Sequence, residues 1–160
     1  MRLCCETGTP EQMMIEGRVE VENKLIAFQI PFLPIGVFMF IGTGQEFLKR
    51  AEGDEVLQRF AAHIRLGNDA LADEAVRGVT YTDRACSLIH MSRLDPKDIK
   101  CLSTLWHEAL HVAIVHLRRL NVEIGECGEI LAYLQEFIAN SLLEAYQKEK
   151  EHEQERRASR

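Results

Sequence analysis

A chain of 160 residues that is 46% hydrophobic and 28% charged is long enough for one self-sufficient core and too apolar for a disordered polypeptide. The net charge is −6 at pH 7, and residues 1–147 hold 14 basic against 21 acidic groups. That balance lacks the basic surplus that a phosphate backbone rewards, so nucleic acid is not an expected partner. The five cysteines, Cys4, Cys5, Cys86, Cys101 and Cys127, are odd in number and form no CxxC, which excludes a disulfide framework or a zinc ribbon. With no signal-peptide pattern at the start, the expected compartment is the reducing cytoplasm.

Residues 1–16 show no periodicity and read as an N-terminal arm. Residues 17–147 read as a single domain, and residues 148–160 as a charged helical tail. Arg18–Glu22 alternates, Asn23-Lys24 suits a turn, and Leu25–Ile30 resumes the alternation, which predicts a hairpin. The stretch Leu25–Gly42 approaches the roughly 20 residues of a membrane span. Pro31, Pro34, Gly36 and Gln29 interrupt it, so two buried strands are expected instead, the second over Val37–Ile41.

Gln45 to about Val76 is helical in composition but is broken at Gly53 and Gly67, with Asp54 placed to cap the middle piece. Gly78–Ser92 predicts two strands around a turn near Thr82-Asp83. Asp95-Pro96-Lys97-Asp98 opens a long helix: Asp95 offers a capping oxygen and Pro96 fits the first helical position. After a break over Asn121–Gly125, a second helix begins near Glu126 and continues into the tail. Its apolar residues cover most of its circumference as far as Tyr146, which predicts a central, buried helix. The order of strands, helices, a hairpin and two long helices predicts an α+β fold, with a small, mostly antiparallel sheet packed on those two helices.

The string TLWHEALHVA, Thr104–Ala113, carries the chemistry. A helix turns about 100° per residue, so His107 and His111 stand one above the other and can converge on one divalent ion. Glu108 is rotated off that line, where it can take a proton from a water that the ion activates. The apolar residues around the motif predict a buried neighbourhood, in which two imidazoles and a carboxylate without a partner would be costly. Of the residues that might complete the set, His116 lies about 140° around the helix from His111 and is unsuitable. Glu129, 18 residues beyond His111 and in the first turn of the next helix, is the expected third ligand, with Glu126 as the alternative. Tyr133, one turn beyond Glu129, either donates its phenol to an oxyanion or packs, and Glu136 and Asn140 continue the same stripe. His90, on the strand before the motif, is a further candidate for the oxyanion.

Thr104, Leu105, His107, Glu108, Ala109, Leu110, His111, Val112 and Ala113 together resemble the extended motif of the zincin metallopeptidases. The following Gly128-Glu129-Ile130-Leu131-Ala132-Tyr133 resembles the zincins whose third ligand is a glutamate, and the order of elements is similar to small zincin-like proteins of phages and prophages. The resemblance covers Thr104–Tyr133 and implies a zincin-like fold. It also implies Zn2+ held by His107, His111 and Glu129, with Glu108 as general base and Tyr133 and His90 as auxiliary groups, acting on a peptide or protein substrate. It further implies that the strand ending at Leu88–Ser92 offers its edge to an extended peptide. Two rival readings stand beside it. One is a metal amidase of deformylase-like chemistry, whose third ligand would be Cys86 or Cys127. The other is a non-catalytic interaction protein on the same scaffold. No membrane partner is expected, and the oligomeric state is not legible.

Overall fold

The structure, a computed structural model, describes residues 20–22, 24–31, 33, 35–66, 78–83, 86–125 and 128–159. The expected N-terminal arm lies outside these residues, as do Glu126 and Cys127. The described part is α+β. Five strands, β1 (Glu20–Glu22), β2 (Leu25–Gln29), β3 (Gly36–Ile41), β4 (Gly78–Asp83) and β5 (Cys86–Met91), form one sheet in the order β1-β2-β3-β5-β4. All pairings are antiparallel except β3 with β5, which run parallel in register from Gly36↔Cys86 to Ile41↔Met91.

Strand alternation divides the buried residues between two cores. Val37, Met39, Ile89 and Met91 point to one face of the sheet, where they meet α3 (Ile99–Arg119) and α4 (Gly128–Ala158). Phe38, Phe40 and Leu88 point to the other face and pack on α1 (Gly44–Arg50) and α2 (Glu55–Leu66). The stretch that could have been a membrane span is β2 followed by β3, and among the described residues no helix is long and apolar enough to cross a membrane.

Local chemistry sets the helix ends. Thr43 and Glu46 form a reciprocal capping box at α1. Asp54 accepts from the backbone N–H groups of Val56 and Leu57, both at 3.0 Å, and so caps α2 as its sequence position predicts. The start of α3 corrects the expectation. Asp98, three residues past Asp95, is the N-cap and accepts from the N–H of Lys100, whereas Asp95 accepts from the N–H of Lys97 in the preceding turn. The end of α3 is closed by Asn121 at φ 56°, with Val122 N–H bonded to Leu117 O and Asn121 N–H to Arg118 O.

The position of α4 is a second correction. It is not central: among its described residues only Ile138, Ala139, Leu142 and Ala145 are buried, while Ile130, Tyr133 and Phe137 are exposed. One stripe packs on α3 and the sheet, and the remaining apolar residues face water. The helix is continuous to Ala158, so the charged tail is an extension of α4.

Candidate metal-binding helix and its surroundings

The buried stripe of α3 runs through Cys101, Leu105, Glu108, Ala109, Val112, Ala113, His116 and Leu117. His107 and His111 lie off that stripe and are exposed, which corrects the expectation of a buried pair. Their placement follows from helical geometry: His107 is about 100° away from the buried Glu108. Since both rings reach water, the desolvation argument for a bound ion does not apply to them. The convergence of the rings does hold. Their Nε2 atoms are 3.1 Å apart, with the ring planes nearly perpendicular.

Two nitrogens bound to one tetrahedral zinc at about 2.0–2.1 Å would be separated by roughly 3.3 Å. The pair therefore fits two adjacent corners of such a site, although one N–H···N hydrogen bond between neutral rings suits the same distance.

Glu108 is 6% exposed, so its carboxylate sits inside the protein beside an exposed histidine pair. Strand β4 holds it there. The Thr80 hydroxyl donates to Glu108 Oε2 at 2.7 Å and lies 3.2 Å from the Glu108 backbone oxygen. Gly78 makes the close approach of β4 to α3 feasible. A Cβ at that position would stand 2.7 Å from Thr104 Cγ2 and 3.2 Å from Glu108 Cγ. Neither Gly78 nor Thr80 was singled out in the sequence, though a signal was present: in GVTYTD every second residue, Gly78, Thr80 and Thr82, is small and falls on the helix-facing side.

The remaining candidates are not brought to the pair. His90 alternates onto the opposite face of the sheet from α3, packs against Phe40 and Phe47, and its Nε2 is 2.9 Å from Gly42 O. The sheet itself separates it from His107 and His111. Cys86 shares that far face with Leu88. Burial pushes the Cys86 thiol up from its ordinary pKa, as expected of a small hydrophobe. Cys101 is buried.

Glu129 and Tyr133 are exposed, Tyr133 by 69%. Glu129 is roughly 180° around α4 from the fully buried Ile138. Two side chains fix the register of the helices: Gln135 donates to Trp106 O, and the Tyr146 hydroxyl to Leu94 O, both at 2.9 Å. With α4 held in that register, its Glu129–Tyr133–Glu136–Asn140 stripe faces solvent. Among the described residues, no three of His, Cys, Asp and Glu are gathered closely enough to hold an ion.

His116, discounted as a ligand, has a structural place instead. It is buried, with Nε2 2.9 Å from the Ser87 Oγ. Burial, reinforced by the nearby Arg119 charge, lowers its pKa from 6.5 to about 4. Strand β5, expected to offer its edge, is instead flanked by β3 and β4. The strand with a free side next to α3 is β4.

Comparisons with protein families, curated proteins and solved structures find no match to this chain.

Proposed function

We propose that the chain is a metal-dependent hydrolase of peptide bonds, zincin-like in its chemistry. The observation that supports this most directly is the convergence of His107 and His111 at 3.1 Å, one residue either way from a carboxylate that β4 holds inside the protein. His107 and His111 would hold a zinc ion, which when bound supplies Lewis acidity and a water of lowered pKa. Glu108 accepts the proton of the attacking water and passes it to the leaving amine. The free edge of β4 is the place for an extended peptide to pair. Glu129 is the third donor that the resemblance assigns. Its side chain lies on the outer side of α4, so its part is decided by whether Glu129→Ala weakens zinc binding.

The test is zinc content by elemental analysis together with turnover of a mixed fluorogenic peptide pool. Wild type should bind one zinc per chain and cleave peptides, and His111→Ala should do neither. Glu108→Gln should keep the metal and lose turnover by at least a hundredfold. Zinc-free wild type in the presence of excess zinc would sink the proposal.

A second reading is favoured by two observations, the exposure of both imidazoles and the outward direction of Glu129: an interaction protein on the same scaffold. It predicts intact binding partners in Glu108→Gln and no turnover in any variant. The deformylase-like alternative loses Cys86, which lies across the sheet, while Cys127 lies outside the described residues.

A further inference from the structure

We infer that Thr80 is a positioning residue, whose hydroxyl fixes the Glu108 carboxylate for proton transfer; this rests on the hydrolase reading above. A glutamate has three rotatable bonds, and its ionised head is stable inside a protein only when hydrogen bonds replace the lost water. The only printed side-chain partner of the Glu108 carboxylate among the described residues is the Thr80 hydroxyl, at 2.7 Å from Oε2. That hydroxyl has one proton. The carboxylate, at the shorter distance, takes it in preference to the Glu108 backbone oxygen at 3.2 Å.

The hydroxyl is itself held firmly. Thr80 pairs with the fully buried Ile89 in the β4–β5 ladder, and Gly78 lets the strand lie against Thr104 and the stem of Glu108. With Oε2 occupied by Thr80, Oε1 is the oxygen left to receive a proton. The strand that presents the free edge of the sheet is thus the same strand that aims the base. No group on α3 itself performs that task, since the next polar neighbours, His107 and His111, point outward.

The experiment compares wild type, Thr80→Val and Thr80→Ser. Val keeps the shape and strand preference of Thr without its donor, and Ser keeps the donor. Carbodiimide labelling of carboxylates, read by mass spectrometry on metal-free protein, reports the exposure of Glu108 without any turnover. Glu108 should label slowly in wild type and Thr80→Ser, and at least about fivefold faster in Thr80→Val. Zinc content should be the same in all three. On the peptide pool, kcat should fall about tenfold to a hundredfold in Thr80→Val with KM little changed, and recover in Thr80→Ser. Unchanged labelling, or full kcat, in a folded Thr80→Val protein would overturn the role of Thr80 while leaving the hydrolase reading intact. A zinc-loaded wild type that cleaves nothing would remove the hydrolase reading, and the role of Thr80 with it.

Discussion

His116 illustrates how one buried side chain ties the fold to pH. Its ring lies between α3 and β5, bonded to Ser87, and its folded pKa of about 4 is below the 6.5 of an unfolded histidine. The unfolded chain therefore takes the proton first. Stability from this group is complete above pH 6.5 and is lost as the pH falls toward 4. The cost should reach about 2–3 kcal/mol between pH 7 and pH 4.5. Urea denaturation at the two pH values checks it, and His116→Gln should remove most of that difference. The Gln variant is needed because carboxylates also destabilise the fold in acid; only the His116 share should disappear.

At the level of elements, β4 against α3 is the contact with the least tolerance. Gly78→Ala adds a methyl 2.7 Å from Thr104 Cγ2, so the strand or the helix must shift, at a cost of about 1–3 kcal/mol in thermal or chemical unfolding. At the other helical layer, Thr43→Ala removes the capping box of α1 and should cost about 1 kcal/mol, measured in the same way. These two contacts also mark what could be read in advance. The strands and helices were legible because alternation and helical periodicity are local, and Asp54 could be placed as a cap because capping acts within three residues. The convergence of His107 and His111 was legible for the same reason: four residues on a helix fix it. Thr80 reaching Glu108 was not, since residues 28 apart meet only once β4 has found its place beside α3. Glu129 failed to reach the pair on similar grounds. Spacing says that a turn and a helix can return to His111, but which side of α4 faces α3 is set by Gln135 and Tyr146.

For the whole molecule, the two cores are built from residues up to Tyr146, and the part of α4 beyond it is mostly exposed and charged. A chain ending at Gln147 should keep the Tyr146 bond to Leu94 and melt within a few degrees of the full chain, with unchanged zinc content. A loss of more than about 2 kcal/mol in unfolding would show that the tail contributes to the fold.

The single parallel junction, β3 beside β5, has a kinetic meaning as well. Gly36 and Cys86 are partners, so the chain must make a fifty-residue excursion before that seam can close. The entropy of closing so wide a circle is spent before any of its bonds form. The β1–β2–β3 meander and the α3–α4 hairpin need no such journey. Joining of the two halves of the sheet is therefore expected to limit the speed of folding, and substitutions along the β3–β5 seam to retard refolding more than they hasten unfolding.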